Sequence, residues 1–354
     1  MKILENHNLS DLNTFNIKAR TRFFVEIKSE ADVEELFKSK DFLENEKLFL
    51  GGGSNVLFTK DFDGIVILNR LKGIEMMKED DENIFVRCMG GEWWNDLVNF
   101  TVEHEYWGIE NLSLVPGTVG AAPVQNIGAY GVELKDVLES VEAYEIKTGD
   151  PSTILRARKR IFTNSECEFG YRDSVFKGIL KGQYFISAIV LKLSKVESKN
   201  IRYRALQEYL DKNNIEVNGV KASPARLRPR DISNAVSEIR RSKLPDPKVL
   251  GNAGSFFKNV FVEKDKLEEL KKLYPEIPSF EEGEIIKIPS GWLIEQCDWR
   301  GKRIGNVGVH DKQALVLVNH GEATGEEIKN LALQIIDSVY QKFGLKLTPE
   351  VNFI

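Results

Sequence analysis

The chain has very few of the residues from which disulfide frameworks and transition-metal sites are built. Its 354 residues include three cysteines and four histidines. Cys88, Cys167 and Cys297 are odd in number and lie far apart, which is typical of reduced thiols in a cytoplasm and argues against a disulfide framework. The histidines form no cluster with the spacing of metal ligands, so we predict no transition-metal site.

Long apolar runs and an excess of basic charge are also absent. No stretch of 18 apolar residues occurs, so no membrane span is predicted. The first residues show no positive flank followed by an apolar core, so we expect no secretion signal. The formal net charge of −5 provides no basic field for nucleic-acid phosphates. We therefore expect a cytoplasmic protein with neither a nucleic-acid nor a membrane partner.

The chain does have the size and the mixed patterns of a protein with several domains. Its length suits two or three domains, and a hydrophobic content of 42% is enough for their cores. Apolar spacing predicts helices at 30–38 and 93–102, from Asp231 as N-cap to just before Pro245, and from a capping box at Thr324 to Phe343. Short apolar runs predict strands at 48–50, 65–68, 141–146, 185–193 and 351–354. This order indicates an α+β fold rather than a regular βαβ array.

The first of two glycine-rich segments is Gly51-Gly52-Gly53-Ser54-Asn55, which follows a predicted strand. Consecutive glycines let backbone N–H groups approach an anion and form a concave nest, and Ser54 and Asn55 add side-chain donors. No Gly-Lys-Ser/Thr follows, so the segment is not a Walker loop. It is also not Gly-x-Gly-x-x-Gly before a helix, which argues against a Rossmann site. A plain turn remains the alternative for this segment taken alone.

The second segment spans residues 116–131 and is dense in glycine, alanine and proline. Small residues at such density indicate that a large group packs flat against the backbone, and a flavin with its ribityl chain suits this description. Tight helix–sheet packing is the alternative. Two such segments in one chain favour a dinucleotide cofactor over two unrelated turns.

Residues 243–259 contain a third distinctive pattern. Pro245 and Pro247 stiffen the chain, and Gly251 and Gly254 then permit backbone conformations that other residues avoid. Ser255 follows, with two phenylalanines behind it, so the segment can hold one hydroxyl beside a ligand. A glycine-rich turn leading into a buried strand stays open as the alternative.

Two charged residues have positions suited to a reacting anion. Arg172 lies among polar neighbours and can hold a carboxylate through two parallel hydrogen bonds. Glu350 follows Pro349 just before an apolar run, where we expect partial burial to raise its pKa and make it a proton donor. A surface ion pair for Arg172 and an ordinary strand-edge position for Glu350 are the alternatives.

These segments together resemble one enzyme family, UDP-N-acetylenolpyruvoylglucosamine reductase (MurB). Seven motifs stand in the family's order over nearly the whole chain: Asn13-Thr14-Phe15, Gly51-Gly52-Gly53-Ser54-Asn55, Pro116-Gly117-Thr118-Val119-Gly120, Gln125-Asn126-Ile127-Gly128-Ala129-Tyr130-Gly131, Tyr171-Arg172-Asp173-Ser174, Gly251-Asn252-Ala253-Gly254-Ser255-Phe256-Phe257 and Pro349-Glu350-Val351. Each motif is weak by itself, but seven in register make chance similarity very improbable.

The resemblance implies an α+β fold with an FAD-binding module of the vanillyl-alcohol-oxidase (PCMH) type and a C-terminal α+β substrate-binding domain. The FAD-binding module would comprise residues 1–70 and 71–244 and hold FAD between its two parts. Residues 245–345 would cover the substrate, and 346–354 would form a terminal strand returning to the active site. FAD would be bound without a covalent link, in agreement with the lack of histidine and cysteine in both glycine-rich segments. We expect a monomer.

The resemblance also implies a role for each matched residue. Ser255 would be the proton donor, and Arg172 and Glu350 would stabilise the enolate intermediate. Substrate-binding residues would be Tyr203, Lys243, Asn259 and Gln296. Cofactor-binding residues would be Gly51, Gly52, Gly53, Ser54, Asn55, Pro116, Gly117, Thr118, Gly120, Gln125, Asn126, Gly128, Ala129 and Arg240. The chain departs from the family pattern around Tyr203. It also departs at Val260 and at Ala121-Ala122, and neither of these two departures touches a reacting group.

The implied activity is the NADPH-dependent, FAD-mediated reduction of UDP-N-acetylglucosamine enolpyruvate to UDP-N-acetylmuramate. This reaction would place the protein in peptidoglycan synthesis, and so in cell-wall biogenesis, cell shape and cell division. Two other functions stay open: an FAD-linked oxidase that uses oxygen, and a nucleotide-sugar-binding protein without catalysis. Rapid reoxidation of the reduced flavin in air would favour the oxidase, and a colourless protein that FAD cannot reconstitute would favour the binding protein.

Overall fold

The computed structural model describes residues 1–146, 158–212, 216–217, 220–221 and 227–354. The chain forms two compact units and passes from one to the other several times. Unit 1 comprises Met1–His7, Thr21–Gly52 and Asp63–Ser242, and unit 2 comprises Asn8–Arg20, Gly53–Phe62 and Lys243–Ile354. The predicted division into segments 1–70, 71–244, 245–345 and 346–354 stays a prediction.

The described residues form short strands and eight helices. The first strands are β1 (Ile3–Asn8), β2 (Arg20–Ile27), β3 (Glu46–Leu50), β4 (Val56–Leu57), β5 (Phe62–Asn69), β6 (Ile74–Glu79), β7 (Asn83–Met89), β8 (Gly128–Ala129), β9 (Val132–Glu133), β10 (Leu138–Glu145), β11 (Arg158–Thr163) and β12 (Tyr184–Ser194). The later strands are β13 (Glu216–Val217), β14 (Val220–Lys221), β15 (Gly251–Ser255), β16 (Val260–Val262), β17 (Phe280–Glu282), β18 (Ile285–Ile288), β19 (Arg303–Ile304), β20 (Val307–Val309), β21 (Val316–Asn319) and β22 (Asn352–Phe353). The helices are α1 (Glu30–Leu36), α2 (Lys40–Glu44), α3 (Trp94–Glu103), α4 (Arg204–Lys212), α5 (Pro229–Lys243), α6 (Lys264–Leu273), α7 (Ser290–Glu295) and α8 (Gly325–Phe343).

Unit 1 is built on two sheets. The first has the strand order β1-β2-β5-β3, with β3 and β5 parallel, and side chains of α1 and α2 share its core. The second is antiparallel in the order β11-β10-β12-β7-β6 and packs against α3. β12 is buried along most of its length, as expected for the central strand of a covered sheet. The first glycine-rich segment begins directly after β3, and the second lies between α3 and β10.

Unit 2 contains a second pair of antiparallel sheets. Their strand orders are β15-β21-β20-β19 and β16-β18-β17. The apolar residues of α8 that are buried recur at helical spacing, among them Ile328, Leu331 and Ile335. β22 pairs in parallel with β4. β15, which ends at Ser255, is an edge strand of the first of these sheets.

Most local predictions are confirmed, with one correction at a helix start. Thr324 caps α8 and forms a capping box with Glu327, as its sequence pattern predicts. Asp231 is not the N-cap of α5, because that helix already begins at Pro229. Proline suits the first helical position, where its fixed φ is favourable and no N–H is required. The Asp231 carboxylate instead accepts a hydrogen bond from the backbone N–H of Arg228, at 2.9 Å.

One ion-pair network joins strands of the second sheet in unit 1. Glu142 on β10 is 7% exposed and accepts two hydrogen bonds of 2.7 Å from Arg87 on β7. Lys159 on β11 lies 2.8 Å from the same carboxylate. The bonds from Arg87 lower the pKa of Glu142 to about 2, although burial acts in the opposite direction. The carboxylate therefore stays ionised inside the sheet.

We expect Glu142→Gln to lower the free energy of unfolding by on the order of 3 kcal/mol at pH 7, because it leaves the largely buried guanidinium of Arg87 without its counter-charge, whereas Lys159 keeps Glu30 as a partner. Since folding depresses the pKa of Glu142 from 4.5, its stabilising contribution is present above about pH 4.5 and is lost as the pH falls towards 2. Urea unfolding as a function of pH measures both effects.

The matched control is Glu79→Gln on β6, which removes an exposed carboxylate that pairs with Lys195 and should cost less than about 1 kcal/mol. If the wild-type and Glu142→Gln proteins lost stability in parallel between pH 4.5 and 2, the network would have no role in acid stability.

Candidate active site

The two glycine-rich segments predicted to hold a cofactor meet within unit 1. A Cβ on Gly51 would lie 2.4 Å from Oγ1 of Thr118, and a Cβ on Gly52 would lie 3.0 Å from Cα of Gly117. The first distance is too short for a Cβ and the second is tighter than ordinary contacts, so glycine at both positions permits this close approach. The structure therefore joins residues 51–52 and 117–118 into one surface, which we call the glycine cradle.

The glycine cradle contains a polar atom without a partner. Thr118 is 3% exposed, and its Oγ1 has no hydrogen-bond partner among the residues that the structure describes. A buried hydroxyl without a partner costs free energy, and an acceptor supplied by a ligand removes that cost. The narrow backbone surface and this hydroxyl fit the phosphate groups of a dinucleotide such as FAD.

The segment after the cradle is anchored by Asn126. This residue is fully buried with φ +46°, and its amide donates to Glu133 at 2.9 Å and to the carbonyl of Gly170 at 3.0 Å. Its Oδ1 accepts from the backbone N–H of Lys135 at 3.0 Å. Asn126 thus fixes the shape of this segment, and a direct contact between its side chain and a cofactor stays a prediction.

Arg172 is held by the same segment. Its guanidinium donates to the carbonyls of Asn126, at 3.4 Å, and Gly128, and it lies 3.5 Å from the carboxylate of Glu133. A Cβ on Gly128 would lie 2.9 Å from Nη1 of Arg172, so a larger residue there would push the guanidinium from this position. The backbone of Arg172 has φ +53°, an uncommon conformation for a residue with a side chain. The charge of Arg172 is therefore fixed in one place by its surroundings.

Other predicted site residues of unit 1 are distributed around this region. Pro116 is exposed, Gly120 donates to the carbonyl of Gly90 at 2.9 Å, and Gln125 ends a short 3-10 helix from Val119 to Gln125. Ala129 lies in the hairpin of β8 and β9. The predicted contacts of these residues with a cofactor stay predictions.

Tyr203 and Arg240 lie in the helical part of unit 1. Tyr203 is 47% exposed and packs edge-on against Tyr130, with ring centroids 5.2 Å apart. On α5, Nε of Arg240 is buried and has no hydrogen-bond partner among the described residues. A buried donor of this kind suits an anionic ligand, and the contact of Arg240 with a cofactor stays a prediction.

In unit 2, Ser255 occupies the end of an irregular strand. β15 pairs with β21 at Gly251, Asn252 and Ser255, and a bulge interrupts the register between Asn252 and Ser255. Gly254 at φ +67° provides the conformation that this bulge requires. Ser255 is exposed, whereas Phe256 and Phe257 behind it are buried. The glycines thus place the hydroxyl on the surface of unit 2 while the aromatic residues anchor the strand.

Glu350 lies beside the serine strand. Its backbone N–H donates to the carbonyl of Phe256 at 2.8 Å, and Phe257 forms an antiparallel bridge with Pro349. On the other side, Nδ2 of Asn55 lies 3.4 Å from the carbonyl of Glu350. The structure therefore brings two of the three predicted catalytic residues, Ser255 and Glu350, into neighbouring backbone positions.

The predicted substrate residues of unit 2 differ in their surroundings. Asn259 accepts at Oδ1 from the backbone N–H of Ser290, at 3.1 Å, which orients its side chain. Lys243 is exposed at the end of α5. Gln296 is exposed at the end of α7, and its carbonyl accepts a hydrogen bond from Lys342. The binding of a substrate by these residues stays a prediction.

The Asn13-Thr14-Phe15 motif forms a loop that bonds β15, the strand that ends at Ser255. Asn13 is 2% exposed, and its amide NH₂ donates to the carbonyls of Leu9 and Ile17. The carbonyl of Thr14 accepts from the N–H of Asn252 at 2.9 Å. A Cβ on Gly53 would lie 1.9 Å from the carbonyl oxygen of Leu12, so the third glycine of its motif packs against this loop. Ser54 is half-buried next to it.

Sequence reasoning missed several residues that hold the predicted ones. Glu133 pairs with Arg172, and Ser290, which is fully buried, donates to the carbonyl of Lys258 at 2.6 Å. Asn319 donates to the carbonyl of Phe15 at 2.8 Å and so supports the loop under the serine strand. None of these residues belongs to a motif from which its role could be predicted. Their roles follow only from hydrogen bonds to residues distant in the sequence.

Among the described residues, no helix combines the length and the apolar character needed to cross a membrane. In the same part of the chain, no group of three or more His, Cys, Asp or Glu side chains is arranged to hold a metal ion.

Two parts of the sequence match known protein families. Residues 21–154 match the FAD binding domain family. Residues 246–354 match the family described as UDP-N-acetylenolpyruvoylglucosamine reductase, C-terminal domain. By fold and site the chain is thus in the class of flavoprotein oxidoreductases. The predicted fold class, an α+β FAD-binding module followed by a C-terminal α+β domain, is confirmed.

The chain belongs to the UDP-N-acetylenolpyruvoylglucosamine reductase family, as its motifs predict. It is 46% identical to the protein of that name from Flavobacterium johnsoniae, with 100% of both chains covered, and 46% identical to that from Amoebophilus asiaticus, again with 100% of both covered. Identity to the Bdellovibrio bacteriovorus protein is 41% over 99% of each chain. The crystal structure of UDP-N-acetylenolpyruvylglucosamine reductase (MurB) from Thermus caldophilus shares the fold, with a TM-score of 0.62, 19% identity and coverage of 99% and 98%.

Proposed function

We propose that this chain is the NADPH-dependent, FAD-containing enzyme that reduces UDP-N-acetylglucosamine enolpyruvate to UDP-N-acetylmuramate. The observation that carries the proposal is the position of Glu350 beside Ser255. Ser255 is exposed on a bulge of β15, and the backbone N–H of Glu350 donates to the carbonyl of the next residue, Phe256. A proton donor and a carboxyl group at adjacent positions suit the protonation of an enolate. Family membership gives the substrate to be tested.

The cofactor site would be formed by the glycine cradle and its neighbours. Backbone N–H groups of residues 51–52 and 117–118 would face the diphosphate, as in other anion-binding sites formed by glycine-rich backbone. The unpartnered hydroxyl of Thr118 would donate to a phosphate oxygen, and Arg240 would supply a positive charge. When bound, FAD supplies the two-electron chemistry that transfers a hydride equivalent from NADPH to the sugar.

Arg172 would bind the carboxylate of the enolpyruvyl group. Reduction at the terminal carbon leaves negative charge on the carbon next to this carboxylate, and a fixed guanidinium stabilises that charge without having to reorganise. The carbonyls of Asn126 and Gly128 and the carboxylate of Glu133 keep the guanidinium in place. Joint action of Arg172 with Ser255 and Glu350 is a prediction from the resemblance, since Arg172 belongs to unit 1 and the other two to unit 2.

Ser255 would donate its hydroxyl proton to the carbon that bears the negative charge and regain a proton from solvent. A serine hydroxyl is a weak acid, but the developing carbanion is a strong base, so transfer in this direction is feasible. Glu350, in its protonated form, would donate a hydrogen bond to the substrate carboxylate. The sugar thereby gains one hydride and one proton, which balances the reduction of its double bond.

Tyr203, Lys243, Asn259 and Gln296 would bind the UDP-sugar. The positive charge of Lys243 suits a phosphate, and the amides of Asn259 and Gln296 suit the sugar and base. The backbone N–H of Ser290 donates to Oδ1 of Asn259 and so orients this amide. By this proposal the protein acts as a cytoplasmic monomer in peptidoglycan synthesis, and so in cell shape and division.

A coupled assay tests the proposed activity. Purified protein should oxidise NADPH over many turnovers only when UDP-N-acetylglucosamine enolpyruvate is present, and mass spectrometry should find a product heavier by two hydrogens. Oxidation of NADPH in air at the same rate without the sugar would instead favour the FAD-linked oxidase. A protein that lacks flavin and cannot be reconstituted with FAD would favour a binding protein.

Gly51→Ala tests the glycine cradle. The new methyl group would meet Oγ1 of Thr118 at 2.4 Å and would displace the hydroxyl proposed to face the diphosphate. We expect the dissociation constant for FAD to rise about tenfold or more, which corresponds to about 1.4 kcal/mol or more. The measurement is titration of the apoprotein with FAD, followed by flavin fluorescence.

The control for this substitution is Gly178→Ala, since a Cβ there meets nothing closer than 3.4 Å, at the carbonyl oxygen of Ser174. It should bind FAD like the wild type. Equal affinities for all three proteins would show that the cradle does not hold the cofactor.

A further inference from the structure

Trp93 is a large aromatic residue whose position is not explained by local structure. It occupies the N-cap of α3, yet its side chain makes no capping hydrogen bond. N-cap positions favour Ser, Thr, Asp and Asn, whose oxygen atoms satisfy the first N–H groups of a helix. Trp93 is also 43% exposed, although the next residue, Trp94, is buried. A residue that breaks a local rule and exposes an aromatic ring is a candidate for ligand contact.

The ring of Trp93 lies on the glycine cradle. A Cβ on Gly52 would lie 2.7 Å from Cζ3 and 3.4 Å from Cη2 of Trp93, so the outer edge of the indole touches the bare backbone. The backbone of Trp93 forms an antiparallel bridge with Thr118. One edge of the ring is therefore fixed against the cradle, while much of the side chain remains accessible.

An aromatic surface beside an anion-binding backbone is the arrangement that recognises a nucleotide. The backbone binds the phosphates, and the ring packs on a planar base or on the sugar next to them. The unpartnered hydroxyl of Thr118 is an independent sign that this surface takes a polar ligand, since Thr118 is 3% exposed and has no partner among the described residues.

We propose that Trp93 forms an aromatic wall of the cofactor site and packs against the part of the dinucleotide next to its diphosphate. The inference rests on the proposed function, because it requires that the cradle binds FAD. Trp93 would thus be a binding residue outside the seven motifs. The ligand group it suits is a planar ring or a ribose next to a diphosphate.

The test compares the FAD affinity and the stability of three variants. Trp93→Ala removes the ring, Trp93→Phe keeps a smaller aromatic surface, and Phe280→Ala removes a similarly exposed aromatic side chain, 51% exposed, from unit 2. Apoproteins are titrated with FAD by flavin fluorescence, and the melting temperature of each apoprotein is measured. We expect the dissociation constant to rise about tenfold for Trp93→Ala, about threefold or less for Trp93→Phe and not at all for Phe280→Ala.

The melting temperature distinguishes ligand contact from packing. The proposal requires that the apoprotein of Trp93→Ala melts within a few degrees of the wild type. Unchanged FAD affinity in this variant would overturn the proposal, and so would a weaker affinity accompanied by a large loss of apoprotein stability. If the wild-type apoprotein bound no FAD, the proposed function itself would fail. If the wild type and Trp93→Ala both bound FAD equally well, only the role of Trp93 would fail.

Discussion

Ser255→Ala is expected to slow the transfer to the enolpyruvyl sugar by about 10²–10⁴-fold, the usual contribution of a positioned general acid. Reduction of the protein-bound flavin by NADPH should proceed near the normal rate, because the hydroxyl has no role in that half-reaction. Stopped-flow absorbance of the flavin bands measures the two half-reactions separately. Ser255 is exposed and its backbone pairing does not depend on the side chain, so we expect the fold to persist.

Two further variants separate loss of the proton from loss of structure. Ser255→Cys supplies a thiol, which is a stronger acid than a hydroxyl, and should recover part of the lost rate. Ser165→Ala removes an exposed serine from unit 1, outside every predicted site, and should leave both half-reactions unchanged. If Ser255→Ala turned over at the wild-type rate, another group would have to donate the proton.

Arg172→Lys is expected to lower kcat/KM for the sugar by about 10²–10³-fold while leaving flavin reduction by NADPH unchanged. Lysine keeps the charge but lacks the planar fork that can hold a carboxylate and also bond the carbonyls of Asn126 and Gly128. Neither residue is β-branched, so the cost of φ +53° is similar for both. Steady-state kinetics should show a raised KM and a lowered kcat, since the interaction strengthens as charge develops.

Arg160→Lys is the matched control for this change. Arg160 is a partly exposed arginine of unit 1 that pairs with Glu166, and its replacement should alter neither kinetic parameter. A kcat/KM for Arg172→Lys close to that of the wild type would contradict the carboxylate-binding role.

Sequence reasoning succeeded where a feature depends on neighbours along the chain. The capping box at Thr324 needs only residues three positions apart, and the structure confirms it. The predicted start of α5 is two residues too late, because Asp231 suits both an N-cap and the third position of a helix. Pro229 decides between the two, since it favours the first helical position.

The support of the site could not be predicted in the same way. Asn55 and Asn126 stand in glycine-rich motifs, and the resemblance predicts that they bind the cofactor together with their neighbours. In the structure the amide of Asn55 lies 3.4 Å from the carbonyl of Glu350, 295 residues away in sequence, and Asn126 fixes the segment that holds Arg172. Such pairings depend on the three-dimensional arrangement of distant strands. A single sequence contains no local signal for them.

The central claim is that this protein passes electrons from NADPH to an enolpyruvyl UDP-sugar through bound FAD. An anaerobic absorbance record of the purified protein tests it most directly. We predict that the flavin bands bleach when NADPH is added and return when UDP-N-acetylglucosamine enolpyruvate follows. Bands that bleach and do not return with the sugar would contradict the proposed substrate, and a protein without flavin bands, even after incubation with FAD, would contradict the cofactor as well.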